Sequence, residues 1–449
     1  MNILHYSLGF PPYRTGGLTK FCVDLMVEQC RQGHNVSLLW PGKIKLIHKK
    51  IKIVKSKAYN IDNFTISNFE LINPLPISLD EGVYDTNAFM QVGSENVYIT
   101  FLKNLNPNVI HVHTFMGLHK EFLSAAKKLN IRLVFTTHDF FPMCPKVTLF
   151  REGRICTSMF NCKECSVCNH TALSKQKIYI LQSRTYRKLK NNYIVKILRS
   201  RHRNSYFTRQ VKNDKSQRPK GKTEDYIDLR SYYHSMLKMF DFIHYNSTVA
   251  KKVYRSIFKS LPQGIICPVS HSGIQDNKNR RKYNSNELKI RYLGQPSGAK
   301  GYFVLKNALD YLYKEEKMNV KLYLHFTPPK IEQYMYVENS FNSTQLKSIF
   351  DNTDILVAPS IWFETFGFTV LEALSFGVPV VISNTVGAKD ILNQDSGIVL
   401  DKVNKDELVK TFKNLDERVL DNMNKAIVDG QKICTISDVA TEIFDNCYL

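Results

Sequence analysis

Residues 354–392 read DILVAPSIWFETFGFTVLEALSFGVPVVISNTVGAKDIL, and SGIVL follows at 396–400. Ile355–Ala358 is a short apolar run of the length of a buried strand, and Pro359–Trp362 breaks it. Glu364, Thr365, Phe366 and Gly367 read as a tight turn, with a helix starting near Thr369. Val378–Ile382 is apolar again and reads as the next strand. A strand apolar on both faces, a loop, a helix and a second such strand make the unit of a parallel sheet covered by helices. Open sheets of this kind bind ligands beyond the carboxyl ends of their strands. That places Glu364 at the mouth of a cleft. It also puts the turn amides at a helix N-terminus, where hydrogen bonding and dipole both favour an anion.

The same rhythm extends upstream. Leu288–Leu293 and Val320–Phe326 read as strands of the same unit. At the N-terminus, Ile3, Leu4 and Tyr6 lie in a strand, Pro11–Gly17 is a loop, and Leu18, Phe21, Cys22 and Leu25 recur at helical spacing. Gly33 is a natural helix stop, and Val36–Trp40 is the next strand. Val109–His113, a helix near Lys120–Leu129, Leu133–His138 and Phe240–Ser247 continue the pattern. The expected fold class is α/β, with two Rossmann-like doubly wound domains at 1–275 and 287–430. Asp276–Asn286, polar and basic, reads as the linker.

With 449 residues and 43% hydrophobic content, the chain suits large buried cores rather than disorder. No stretch has the apolar length of a membrane-spanning helix. The start, MNILHYSLGFPPYRTGG, lacks the charged head and apolar core of a signal peptide, so a cytoplasmic location is expected. The formal charge is +22, which favours an anionic partner without choosing among nucleic acid, membrane and phosphorylated substrates. Residues 171–222 carry sixteen Lys or Arg against the single acid Asp214, so most of that excess sits in one segment.

Glu364-x7-Glu372, with Phe-Gly after the first Glu and Gly-Val-Pro-Val after the second, resembles the retaining glycosyltransferases of family 4, which have the GT-B fold: two Rossmann-like domains facing across a cleft. The resemblance implies that Glu364 contacts the donor sugar, that Phe366, Gly367 and Thr369 supply the turn holding sugar and phosphate, and that Glu372 binds the ribose. IRYLGQPSGAKGY (Ile290–Tyr302) resembles the family's loop that grips the donor pyrophosphate with a basic pair. Lys300 matches the Lys of that pair. Gln295 stands where many members have Arg, and Gln cannot offset charge; Arg14 is a candidate substitute. FPPYRTGG (Phe10–Gly17) resembles the family's glycine loop, where Gly16 and Gly17 let backbone approach a diphosphate. His138 matches the His beside the donor sugar and the attacking acceptor, and His113 also falls at a strand end. Ser272-Gly273-Ile274 resembles a turn at the domain junction. The catalytic candidates are therefore Glu364, His138 and Lys300. By resemblance, the anomeric configuration is retained, a donor phosphate oxygen takes the acceptor's proton, and Lys300 stabilises the departing diphosphate. Residues 431–449 would return to the first domain.

Two segments depart from the α/β rhythm. In 144–168 the cysteines run Cys144-x11-Cys156-x5-Cys162-x2-Cys165-x2-Cys168. A C-x2-C pair places two thiolates on one tetrahedral ion. Cys144, Cys156, Cys162 and Cys165 are the candidate ligands of a structural zinc, with Cys168 as the alternative; an iron–sulfur cluster and plain free thiols remain open. No cofactor is expected for catalysis. In the basic insert, taken as 171–235, Tyr186, Leu189, Tyr193 and Ile197 share a helical stripe between Ile178 and Leu198. That suits either an anionic membrane face or a helix packed on the first domain. Residues 199–222 read as a mobile, charged loop.

The leading expectation is a transferase moving a hexosyl group from a UDP- or GDP-sugar to a glycan or lipid-linked acceptor, in bacterial surface-polysaccharide synthesis at the inner face of the membrane. Two other classes compete. A nucleic-acid-binding protein would explain the charge but not two α/β domains, and the cysteines lack a zinc finger's His pair. A sugar-nucleotide epimerase or phosphorylase would share the fold without the Glu pair.

Overall fold

The apolar runs of the first half assemble into one eight-stranded sheet. Its strands are β1 (Asn2–Tyr6), β2 (Asn35–Pro41), β3 (Lys52–Ile61), β4 (Phe64–Ile72), β5 (Val109–Val112), β6 (Arg132–Thr136), β9 (Phe242–Tyr245) and β10 (Gly264–Ile266). Their order is β10-β9-β6-β5-β1-β2-β4-β3, parallel throughout except for the antiparallel β3–β4 pair. A separate hairpin, β7 (Phe150–Arg151) and β8 (Arg154–Ile155), lies in the cysteine segment. The second half builds a six-stranded parallel sheet, β13-β12-β11-β14-β15-β16. Its members are β11 (Leu288–Tyr292), β12 (Val320–Leu324), β13 (Met335–Val337), β14 (Ile355–Ala358), β15 (Val380–Ser383) and β16 (Gly397–Leu400). This computed structural model describes residues 1–45, 50–78, 81–190, 192–193, 195, 197, 221–284 and 286–449.

The helices that matter for the site follow three of these strands. They are α1 (Gly17–Arg31) after β1, α2 (Tyr302–Lys314) after β11 and α3 (Phe368–Ser375) after β14. Each crosses over to a parallel neighbour, which is the connection such strands require. The β3–β4 hairpin escaped the sequence reading because β3, KIVKSKAYNI, is a lysine-bearing edge strand with little burial. Its turn uses Asp62 and Asn63 at positive φ (48° and 67°), as two-residue hairpins prefer.

The described residues of the stretch between the sheets, 276–284 and 286, are docked along the second domain. Arg281 donates to the carbonyls of Phe350 and Thr353, Lys278 donates to the Gln431 carbonyl, and Arg280 pairs with Asp429. The chain then returns: α4 (Ile436–Ile443) packs on α1, and its wide last turn, Phe444–Tyr448, reaches the first sheet. Arg132 Nε donates to the Cys447 carbonyl at 2.7 Å. Ile436, Val439, Ile443 and Tyr448 join one buried cluster with Ile3, Phe21 and Leu25 of the first domain and Leu356, Phe366 and Val370 of the second. Burial of such side chains is worth about 1.5–3 kcal/mol each, so this cluster binds the two halves together.

The basic insert differs from the single stripe expected. Among its described residues up to Lys190 it forms two short helices, α5 (Lys175–Leu181) and α6 (Arg184–Leu189). Ser183 breaks the run by capping the second, its hydroxyl accepting from the Tyr186 amide. Buried Gln182 holds the break down, accepting from the Ile77 amide at 2.8 Å. Leu189 and Tyr193 are exposed. The charged stretch at 198–220 lies outside the described residues. No helix among the described residues is long and apolar enough to cross a membrane.

Candidate active site

Three helix N-termini open on the cleft between the sheets. The residues preceding α1, α2 and α3 are Gly16, Gly301 and Gly367, and none of the three helices has a side-chain cap. Their first-turn amides therefore lack intrahelical partners, and the dipoles add positive potential. Glycine is required at Gly301: φ is +73°, and a Cβ would stand 1.8 Å from the Pro359 carbonyl oxygen. That contact, with Ile361 N donating to the Ala299 carbonyl at 2.8 Å, locks the loop after β11 against the loop after β14. Gly367 sits at φ +106° and makes the turn into α3. From the first domain, Gly17 lies against the ring of Phe368, so the starts of α1 and α3 meet.

Glu364 is fixed in backbone and side chain. Its amide donates to the Thr385 carbonyl at 3.0 Å, and its carbonyl accepts from Gly387 N at 2.9 Å. Its carboxylate accepts from Lys300 Nζ at 2.5 Å and from Ser360 Oγ at 2.7 Å. Burial alone would raise its pKa, but Lys300 and the hydrogen bonds more than offset it, so Glu364 is held below the usual carboxylate range. Lys300 Nζ also stands 5.2 Å from the Trp362 ring centroid. Phe366 is buried, and its carbonyl accepts from Ala388 N, so this residue offers backbone rather than ring to the cleft. Thr369 lies in the first turn of α3.

Glu372, on α3, is met by His271 from the domain junction at 3.0 Å. His271 Nδ1 accepts from Gly273 N, so Nε2 carries the proton donated to Glu372. The adjoining turn, Ser272–Ile274, is tied to α1: Ser272 N donates to Asp24, and Lys20 donates to both Asp24 and Ser272.

His138 lies two residues beyond β6, partly exposed, with the Phe21 ring 5.0 Å away. Its carbonyl accepts from Thr365 Oγ1 at 3.0 Å, so the turn carrying Glu364 touches it across the domains. Burial depresses its imidazole to about 3. Next to it, burial raises Asp139 to about 6. His113 is fully buried and hydrogen-bonded inside the domain. Gln295 is exposed, with its carbonyl shaping the turn by accepting from Tyr292 OH at 2.7 Å. The Arg14 guanidinium stacks on Tyr13 at 5.1 Å, within the glycine loop.

Part of the basic insert props that loop. Arg187 stacks on Tyr13 and Trp40 at 4.7 and 4.9 Å and pairs with Glu70. Lys190 donates to the Tyr13 carbonyl at 2.9 Å. Sequence reading missed His271, Ser360 and Gly301. Glycine after Lys300 and before a helix was the legible signal for the last; His271 had none, because its partner is distant in sequence.

The five cysteines gather on one element. Cys144, Cys156, Cys165 and Cys168 line a cavity of about 20 Å³, room for one small ion, and Cys162 lies on the far side of Cys165. Cys162 and Cys165 share a hydrogen bond that lowers the Cys162 thiol below its ordinary range. The donor set suits a soft tetrahedral ion, although among the described residues no three of these sulfurs stand within 4.8 Å of one another. Cys168, the alternative ligand, lines this cavity with three of the expected set, while Cys162 meets Cys165 by a side-chain hydrogen bond.

Two parallel sheets facing across a cleft define a GT-B α/β protein. The family described as glycosyltransferase family 4 matches residues 15–193, and that described as glycosyl transferases group 1 matches residues 331–427. This chain belongs to those glycosyltransferases, a family of enzymes. It is 26% identical over 170 residues to an uncharacterized 41.2 kDa protein in the cps region of Klebsiella pneumoniae, covering 35% of this chain and 45% of that one. It is 35% identical over 68 residues to an uncharacterized glycosyltransferase of Methanocaldococcus jannaschii, covering 15% of this chain and 17% of that one. The match thus spans less than half of each relative's length. Among solved structures, sucrose-phosphate synthase from Thermosynechococcus elongatus aligns with TM-score 0.54 at 11% identity, over 99% of this chain and 97% of that one. The UDP-forming trehalose-phosphate synthase of Burkholderia xenovorans aligns with TM-score 0.56 at 10% identity, over 99% of each chain. At such identities the likeness is one of fold.

Proposed function

We propose that this chain is a retaining glycosyltransferase moving a hexosyl group from a UDP- or GDP-sugar to a glycan or lipid-linked acceptor. The observation that carries the reading is the Glu364–Lys300 pair set among three uncapped helix N-termini. The amides after Gly16, Gly301 and Gly367 suit a diphosphate that two domains share. Lys300 exchanges Glu364 for the pyrophosphate, and the freed carboxylate accepts hydrogen bonds from the sugar. Lys300 then offsets charge as the diphosphate leaves. Glu372, oriented by His271, holds the ribose. The acceptor enters beside His138, and a donor phosphate oxygen takes its proton.

A role in surface-polysaccharide synthesis draws support from the Klebsiella relative, which is described as a protein of a cps region. A cytoplasmic site on the membrane's inner face would bring a lipid-linked acceptor within reach, with the basic insert contacting anionic lipid. Four of the five clustered cysteines would hold a structural zinc, which braces the element beneath Met143 and Arg230 and takes no part in transfer. Family membership does not favour the nucleic-acid-binding or epimerase readings.

Calorimetric titration with UDP, GDP and their sugar conjugates tests the reading. One nucleotide series should bind, and Glu372→Ala should weaken it by about 1–3 kcal/mol. Proton NMR of the product should show the donor's anomeric configuration retained. Failure of both series to bind, with salt-sensitive binding of nucleic acid instead, would reject it.

A further inference from the structure

An unbroken hydrogen-bond chain runs behind the cleft. It starts at a backbone carbonyl, which can only accept. His244 Nε2 lies 2.7 Å from the Cys267 oxygen, and His244 Nδ1 lies 2.9 Å from Thr136 Oγ1. Thr136 Oγ1 is 2.6 Å from His111 Nε2, and His111 Nδ1 is 2.7 Å from Tyr448 OH. Tyr448 OH meets Gln29 Nε2 at 3.0 Å, and Gln29 Oε1 meets His5 Nε2 at 2.7 Å. His5 Nδ1 is 2.9 Å from His113 Nε2, and His113 Nδ1 is 3.1 Å from His138 Nε2.

Each neutral imidazole has one proton and each hydroxyl one, so every gap holds a single proton and the anchor sets its direction. The carbonyl requires Nε2–H on His244, which leaves Nδ1 to accept from Thr136. Thr136 then accepts from His111 Nε2–H, and His111 Nδ1 accepts from Tyr448. Tyr448 accepts from the Gln29 amide, whose oxygen takes the proton of His5 Nε2. His5 Nδ1 accepts from His113, and His113 Nδ1 accepts from His138 Nε2–H. Reversal would set a lone pair of His244 against the Cys267 oxygen at 2.7 Å in a fully buried site. The neutral state of the chain agrees with its burial, which depresses His5 and His244 to about 4. The ring nitrogens of His5, His111 and His113 include a set within 4.8 Å of one another, but all six are already engaged in these bonds, so the cluster is no free metal site.

We infer that Tyr448, from the returning C-terminal segment, is a positioning residue that locks His138 as the Nε2–H tautomer, so that the cleft meets the Nδ1 lone pair. His138 thereby takes a hydrogen bond from a ligand hydroxyl and rejects a group that only accepts. The cleft-side role rests on the transferase reading; the tautomer does not.

The test is long-range proton–nitrogen correlation NMR of the 15N-histidine-labelled full chain at pH 7.5, with His138→Gln identifying the signal. His138 should appear only as Nε2–H. Tyr448→Phe, which removes one hydroxyl, should release the Gln29–His138 end and turn that signal into a mixture of both tautomers. Thr136→Val cuts the same chain nearer its anchor with an isosteric side chain and should do likewise if the first variant folds poorly. A His138 signal of the Nδ1–H form, or one that both variants leave unchanged, overturns the proposal. Because no substrate is needed, a loss of the transferase reading would leave this result standing, and the reverse.

Discussion

Glu364 and Lys300 are coupled at 2.5 Å, so each determines the other's charge environment. Glu364→Gln removes the anion but keeps the size and the Ser360 contact. Transfer should fall by about 100- to 1,000-fold, as when a polar group aimed at the reacting centre is lost. Nucleotide affinity should stay within a few-fold, because Lys300 is released rather than removed. Initial rates and calorimetry on the same preparation separate the two. Gly301→Ala acts differently. Its methyl group would stand 1.8 Å from the Pro359 oxygen at a backbone angle of +73°. The substitution should cost at least about 1–3 kcal/mol in urea unfolding, visible as a lower midpoint. Glu364 and Lys300 were legible because each lies in a local pattern of loop and helix. His271 and Tyr448 were not, because nothing near them in sequence announces partners 101 and 419 residues away.

The strands Ile355–Ala358 and Val320–Leu324 were legible from apolar runs of strand length. The β3 edge strand was not, because exposure removes the apolar signal. In the basic insert, periodicity suggested one helix, and a serine cap with a buried glutamine made two. The cysteine element offers a direct measurement. Elemental analysis of the purified protein should find about one zinc per chain, a number set by four thiolates per ion. Cys165→Ser should lose it, and a chelator should lower the melting temperature of the wild type but not of that variant. Absence of metal from protein prepared under reducing conditions would leave plain thiols as the reading.

Across the whole molecule, buried histidines couple stability to pH. His5, His119 and His244 are depressed to about 4 and His138 to about 3, all by burial, against 6.5 when unfolded. Between those limits the unfolded chain binds more protons, so stability is fullest above about pH 6.5 and falls as pH drops toward 4. Asp139, raised to about 6, acts in the opposite direction, but it is one carboxyl against several imidazoles. The unfolding free energy from urea titration should therefore be lower at pH 5 than at pH 7.5, by about 1–2 kcal/mol for each buried imidazole. A flat profile would mean that the native chain takes up as many protons as the unfolded one over this range, so that burial does not depress these rings. The returning segment has a consequence in time. Tyr448 lies at the centre of the first domain's polar interior, yet the ribosome makes it after the entire second domain. The half that emerges first is the half completed last, so its nascent form must wait, unfinished, while some 170 further residues are translated, a delay of roughly 10–30 s at ordinary elongation rates.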